Sequence, residues 1–336
     1  MKSYFKRLLT VVMWLVVPTQ QTFAESLQSN FFSPNFEFAL IGDTPYGVLP
    51  GESYGPFDRL TQDINEEKRI RWVLHAGDIK SGSTPCSDEL FLDRLERFNQ
   101  FNKPFILTLG DNEWTDCHRV KAGEYVPLER LEKLRSIFYP VAGLSLGSRK
   151  IWMQSQGHFS RFRDYPENLI WSRHRVQFGT IHLVGSNNGL APFDPNSSVQ
   201  RTAADDQEVA EREAAGLFWL DYIFDRAEKA EAPGIFLMVH ANPALELRGA
   251  PSRLGFEAFL SQLEKRVQDF GKPVVLAHGD SHYFRIDKPK LDQVTFLPNF
   301  TRVETFGASR VHWIRVKVKP NSKQVFSFEE EIVAGN

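Results

Sequence analysis

Residues 104–117 read PFILTLGDNEWTDC, an apolar run that stops at Gly110 and then presents Asp111, Asn112 and Glu113, with Cys117 following. A short apolar run closed by glycine is the pattern of a strand buried on both faces, with its polar residues gathered at the carboxyl end. Four further runs repeat it: Phe36–Ile41 before Gly42-Asp43, Arg71–Leu74 before His75-Ala76-Gly77-Asp78, Ile235–Val239 before His240, and Pro273–Ala277 before His278-Gly279-Asp280.

Helical stretches lie between these runs. Ser87–Phe101 opens on a Ser cap with acids in its first turn, and Leu90, Leu92, Leu95 and Phe98 supply an apolar stripe. Asp205–Ala230 is a longer helix whose buried face is read as Leu217, Trp219, Leu220, Ile223 and Phe224. Alternation of strand and helix predicts a layered α/β core. After Tyr283 the pattern turns to strands alone, at Tyr283–Ile286, Val294–Leu297, Arg310–Val318 and Val325–Ile332, which adds antiparallel strands and predicts two sheets packed together. The loop-rich segment 140–168 reads as an insertion over one end of the sheet. No repeat, low-complexity linker or charge break divides the rest, so residues 25–336 are taken as one domain.

The first 24 residues carry Lys2, Lys6 and Arg7, an apolar run from Leu8 to Val17 and a small residue at Ala24, the layout of a secretory signal peptide cleaved after Ala24. Export to a periplasmic or secreted location follows. The apolar run is too short to span a bilayer, and no later segment reaches the roughly 20 apolar residues a membrane helix needs. Cleavage removes 3 of the 40 Lys/Arg and none of the 42 Asp/Glu, which leaves a charge of about −5. With no basic tract either, binding to a nucleic-acid backbone is disfavoured. In an oxidising compartment the two cysteines, Cys86 and Cys117, read as a disulfide rather than as unrelated thiols.

In open α/β sheets ligands collect outside the carboxyl ends of the strands, which is where Asp43, Asp78, Asp111, His240, Asp280 and His282 fall. A single Gly-Asp after a strand is ordinary turn chemistry. Several together, with two histidines, form a mixed oxygen and nitrogen donor set that suits a divalent metal and would otherwise repel itself. No phosphate loop, zinc-protease helix, nucleophile elbow or dinucleotide turn competes with this reading.

The order and spacing of these residues resemble the calcineurin-like metallophosphoesterase superfamily, whose pattern runs DxH, GDxx, GNH[DE], a lone His and GHxH. Gly42-Asp43, Gly77-Asp78, Gly110-Asp111-Asn112-Glu113, His240 and Gly279-Asp280-Ser281-His282 fall on the five motifs in order. The resemblance implies a four-layer α-β-β-α sandwich, with two mixed sheets face to face and helices outside. It implies one or two divalent cations and hydrolysis of a small phosphorylated substrate, either a phosphomonoester or a phosphodiester. One metal position would take Asp43, Asp78 and His282, and the other Asp78, Asp111, His240 and Asp280.

Pro45 stands where the first motif has His, Asp111 where the third has Asn, and Asp280 where the last has its first His. Three carboxylates and one imidazole favour Mn²⁺, Mg²⁺, Ca²⁺ or iron over Zn²⁺. Asn112 takes the place of a His that assists the leaving group. It is assigned catalytic and substrate-binding roles, although an amide cannot act as an acid at neutral pH; His282 is the other catalytic candidate. Lys80 is either a phosphate contact or a charge partner of the acids. His278 is an alternative to Asp280, His75 a hydrogen-bonded interior histidine, and Asn187 and Asn188 either line the site or shape a turn. The rival reading, motivated by Pro45 and Asn112, is a non-catalytic exported protein that binds a metal or ligand on the same scaffold.

Overall fold

The structure is a computed structural model that describes residues 34–291 and 296–336. The proposed signal peptide, residues 1–24, lies outside the described residues. Among those described, no helix is long and apolar enough to cross a membrane.

Two mixed sheets form the centre. The first runs in the order β12-β11-β1-β2-β3, from β1 (Phe36–Ile41), β2 (Ile70–His75), β3 (Phe105–Leu107), β11 (Trp313–Val318) and β12 (Phe326–Glu331). Strands β1, β2 and β3 are parallel, and β11 and β12 join antiparallel. The second sheet runs β4-β5-β6-β7-β8-β10-β9, from β4 (Gln154–Ser155), β5 (Leu169–Arg173), β6 (Val176–Thr180), β7 (Ile235–Met238), β8 (Val274–His278), β9 (Arg285–Asp287) and β10 (Phe300–Glu304). Its strands β6, β7, β8 and β10 are parallel.

The period-2 alternation of each strand explains why the sequence shows unbroken apolar runs. In β1, Phe38 and Leu40 point between the sheets, where they meet Phe178, Phe236 and Val316. Ala39 and Ile41 point outward to the helices α1 (Gly55–Glu66), α2 (Asp88–Asn99) and α3 (Pro127–Phe138). The outer face of the second sheet is covered by α4 (Ala203–Lys229) and α5 (Glu257–Phe270), through Trp219, Leu220, Ile223, Leu260 and Leu263. The layers are therefore helix, sheet, sheet, helix. Ser87 caps α2 by accepting the Leu90 amide at 3.3 Å. Its buried stripe uses Phe91 in place of Leu92, which is 54% exposed.

Two expectations change. The strand expected over 294–297 lies instead at Phe300–Glu304: Phe296 and Leu297 are outside any strand, and residues 292–295 are not described. Strands β5 and β6 were not expected from the sequence, because the Trp171-Ser172-Arg173 end of β5 is only partly buried and breaks the apolar pattern. Segment 140–168, read as an insertion over one end of the sheet, reaches the edges of both sheets. It bridges Leu146 to Phe105 at the edge of one sheet and pairs β4 with β5 at the edge of the other.

That segment also brings Glu167 into the interior. Arg135 Nη2 lies 2.6 Å from its carboxylate and His182 Nδ1 lies 2.8 Å from it, with Glu167 and His182 fully buried. Burial alone pushes the Glu167 carboxyl up, but the Arg135 guanidinium and the His182 hydrogen bond override it and hold the group at about 2. A depressed carboxyl stabilises the fold above its ordinary value and loses that contribution as pH falls through the folded value. Glu167→Gln should therefore cost on the order of 3 kcal/mol at pH 7, and the difference from wild type should shrink between pH 4.5 and about 2. Denaturant titrations across that window check it; a gap that stays constant down to pH 2 would count against the ion pair as its source.

Candidate metal centre

The carboxyl ends of the parallel strands of both sheets bring together residues far apart in the chain. Asp43 follows β1, Asp78 follows β2, Asp111 follows β3, His240 follows β7, and Asp280 and His282 follow β8. Asp43, Asp78, Asp280 and His282 all have positive φ, between 54° and 78°. Backbone of this kind is sparsely populated and gathers at functional sites. The glycine before an acid is required by crowding: a Cβ on Gly110 would sit 2.2 Å from Asp78 Oδ1, and one on Gly279 would sit 2.3 Å from Asp43 Oδ2.

His240 lies at the centre and is fully buried. Its Nδ1 is 2.7 Å from the Ala76 carbonyl, so that nitrogen carries the proton. Nε2 is then aimed at Asp111 Oδ1, 3.0 Å away, and Asp78 Oδ1, 3.2 Å away. A ring fixed by a carbonyl on one nitrogen, with the other presented to carboxylates, is how a metal-ligating histidine is held. Two groups of side chains place ligand atoms within 4.8 Å of one another: Asp43, Asp78 and His240, and Asp111, His240 and Asp280. His282 Nε2 lies 3.5 Å from Asp43 Oδ1, and its side chain is 32% exposed.

The electrostatics agree with a site that wants a cation. Burial and the neighbouring acids push the Asp78 carboxyl well above the carboxylate range, and burial raises Asp43 to about 7 and Asp280 to about 6. Burial works against a charge on His240, but Asp78, Asp111 and Asp280 raise the imidazole well above its ordinary value. Crowded acids that hold protons against their ordinary chemistry are relieved by a divalent ion among them. The oxygen-rich donor set fits the group the sequence implies.

Asn112 donates its backbone N–H to Asp78 Oδ1 at 3.1 Å, and its side-chain amide donates to Asp78 Oδ2 and, at 2.9 Å, to the Tyr46 hydroxyl. Its side chain is thereby tied to Asp78. Lys80 lies in the interior. Its Nζ donates to the Ser81 carbonyl at 3.0 Å, and burial lowers it to about 8 while Glu113 and Asp78 draw it back up. Of the two readings of Lys80, this burial among acids favours the charge partner. His278 turns to the Gly279 carbonyl at 2.9 Å and belongs to neither ligand group. His75 bonds the Thr44 carbonyl at 2.8 Å and accepts the Gly77 amide at 3.2 Å, pinning the first two Gly-Asp turns together.

Gly185–Asn188 forms a left-handed turn, with Ser186, Asn187 and Asn188 at φ of 51°, 56° and 56°. It is held by Arg212, which donates to the Asn188 carbonyl at 3.0 Å, and by Asn188 Nδ2 on the Gly255 carbonyl at 3.0 Å. The turn carries Ser186 Oγ to 2.8 Å from Asp111 Oδ2 and 3.1 Å from Asp116 Oδ1. Asn188 thus shapes the turn, and Ser186 reaches the site.

Sequence reasoning missed three contributors. Tyr46 donates its hydroxyl to Asp78 Oδ2 at 2.6 Å; its position directly after Pro45 is the signal that could have marked it. Ser186 opens the Ser186-Asn187-Asn188 triplet and was passed over. Thr305 donates to Asp43 Oδ2 at 3.1 Å from 262 residues away and left no signal at all.

The sequence model of the calcineurin-like phosphoesterases matches residues 36–284, the span that holds all six candidate ligands. No curated protein matches the chain significantly. With three quarters of its length covered by that match and its two mixed sheets between helices, the chain belongs to the calcineurin-like phosphoesterase family.

Proposed function

We propose that the protein hydrolyses phosphate esters, mono- or diesters, with one or two divalent cations bound by side chains drawn from Asp43, Asp78, Asp111, His240, Asp280 and His282. The observation that carries this is His240, whose Nδ1 is fixed on a carbonyl while Nε2 faces two carboxylates from different strand ends. A bound divalent cation supplies Lewis acidity and lowers the pKa of a bound water. Mn²⁺, Mg²⁺, Ca²⁺ or iron suits these oxygen-rich donors better than Zn²⁺.

The chain's own residues set the remainder. Asn112 keeps Asp78 oriented through two hydrogen bonds and carries no acid proton. His282 is the part-exposed ligand candidate, and its exposure supports a role in meeting substrate. Protonation of the leaving group then falls to solvent or His282. General acid help is worth about 10²–10⁴-fold, so esters of acidic alcohols should be cleaved faster than alkyl esters by about that factor. Steady-state rates on aryl and alkyl phosphates, and on a bis-aryl phosphate, with Mn²⁺ and after chelation, test the reading. Mn²⁺-dependent turnover of an aryl ester supports it, and no metal-dependent turnover of any ester would sink it. A chain that binds Mn²⁺ tightly and turns over none is the non-catalytic metal-binding protein.

Export is part of the proposal. It is supported by the signal-like segment before Glu25 and by the Cys86–Cys117 disulfide. An N-terminus at Glu25 on protein recovered outside the cytoplasm is the expected mass-spectrometric result.

A further inference from the structure

The two groups of candidate ligands share one atom. Both use His240, and with Nδ1 committed to the Ala76 carbonyl only Nε2 remains. A ring nitrogen has a single lone pair, so it serves one cation. A second cation would depend on Asp43, Asp78 and His282, at the position where Pro45 stands in place of a histidine.

The acceptor atoms there are already engaged. Asp43 Oδ1 accepts the Asp280 amide at 2.9 Å, and Oδ2 accepts the Thr305 hydroxyl at 3.1 Å. Asp78 Oδ2 accepts both the Tyr46 hydroxyl at 2.6 Å and the Asn112 amide. To bridge two cations, Asp78 would need that oxygen free; its Oδ1 already faces His240. The Tyr46 hydroxyl also lies 3.4 Å from His282 Nε2, and its ring stands edge-on to the imidazole at 5.2 Å. It therefore sits between Asp78 and His282, two of the three residues a second cation would use.

From this arrangement, and resting on the metal-dependent reading above, we infer that Tyr46 closes one of the two metal positions. The centre holds a single divalent cation, on Asp111, His240 and Asp280, with Asp78 Oδ1 facing the same ring nitrogen at 3.2 Å. Tyr46 is a positioning residue: it fixes Asp78 by a hydrogen bond and occupies the ground of the absent histidine.

Calorimetric titration of the purified chain with Mn²⁺, with electron paramagnetic resonance on the same samples, tests this. One tight Mn²⁺ per chain with a mononuclear spectrum is expected, any second ion being weaker by about 100-fold, the scale seen when a site's supporting groups are compromised. Asp280→Ala should lose the tight ion while Asp43→Ala keeps it. Tyr46→Phe retains the ring against His282 and removes the hydroxyl; it should tighten the second ion about tenfold, about 1.4 kcal/mol. Two tight, spin-coupled ions in the wild type would overturn the inference, as would a tight ion lost with Asp43 and kept without Asp280, or a second ion indifferent to Tyr46→Phe. Those results leave metal-dependent hydrolysis standing. Failure of the wild type to bind any Mn²⁺ removes that reading itself, and this one with it.

Discussion

Asp78→Asn should remove metal-dependent phosphoesterase activity by about 10³-fold or more while the protein stays folded. Lewis-acid stabilisation is worth several kcal/mol, and each 1.36 kcal/mol is tenfold in rate. Asp78 is 2% exposed and lies against His240 Nε2 at 3.2 Å, the Asn112 amide at 3.1 Å and the Tyr46 hydroxyl at 2.6 Å. Asparagine keeps the volume and one acceptor oxygen, so the local hydrogen bonds survive in part while the charge that attracts a cation is lost. Removing that charge relieves its repulsion with Asp111, Glu113 and Asp43 and forfeits its attraction to His240, effects of opposite sign, so the metal-free variant should stay folded. Two measurements check this. The kcat/KM with Mn²⁺ should fall to the chelated background, and the rise in Tm that Mn²⁺ gives wild type, about 2.7 kcal/mol of stabilisation at 100 times Kd, should vanish. A variant that keeps both would show that Asp78 holds no cation.

Removing the Cys86–Cys117 disulfide should cost about 3–4 kcal/mol, the chain-entropy value for a loop closed across 31 residues. At 2–4 °C per kcal/mol for a domain somewhat smaller than this one, Tm should fall by about 5–15 °C. Both cysteines are fully buried, and Cys117 sits in the short helical turn Thr115–His118, one residue after Asp111-Asn112-Glu113. The bond therefore ties the loop after β3, with its candidate ligand, to the entry of α2. The Cys86→Ser/Cys117→Ser double variant should lose Mn²⁺ affinity as well as stability, because Asp111 and Asn112 are no longer anchored from behind. Thermal unfolding and Mn²⁺ titration, with free-thiol mass spectrometry on the wild type, decide it; an unchanged Tm with both thiols free in the wild type would refute it.

The candidate ligands were legible because each one closes a strand. An apolar run broken by Gly-Asp marks both a buried strand and its carboxyl end, and parallel strands put such ends on one side of a sheet. The helices α2 and α4 were legible for a local reason too, α2 through its Ser cap and apolar stripe and α4 through its buried apolar face, although the stripe of α2 was misplaced by one position at Leu92 and Phe91. Strand β5 was not legible, because its later residues face partly outward and mix Ser172 and Arg173 with Trp171. The fate of Lys80 was not legible either: a lysine two residues after a ligand reads the same whether it faces substrate or Glu113. Only burial separates the two.

The sequence by itself determined which residues stand at the strand ends and that the chain alternates into a layered α/β core; the histidine absent at Pro45 shows only against the motif of the family it resembles. Those features are written in local order, through hydrophobic period and the residue that closes each run. The tertiary structure alone decided how the centre is wired: Thr305 on Asp43 across 262 residues, the Asp280 amide on Asp43 across 237, His240 on the Ala76 carbonyl across 164, and the Tyr46 hydroxyl on Asp78 across 32. A hydrogen bond depends on positions to within a few tenths of an ångström, and those positions are set only when the strands pair and the two sheets pack face to face.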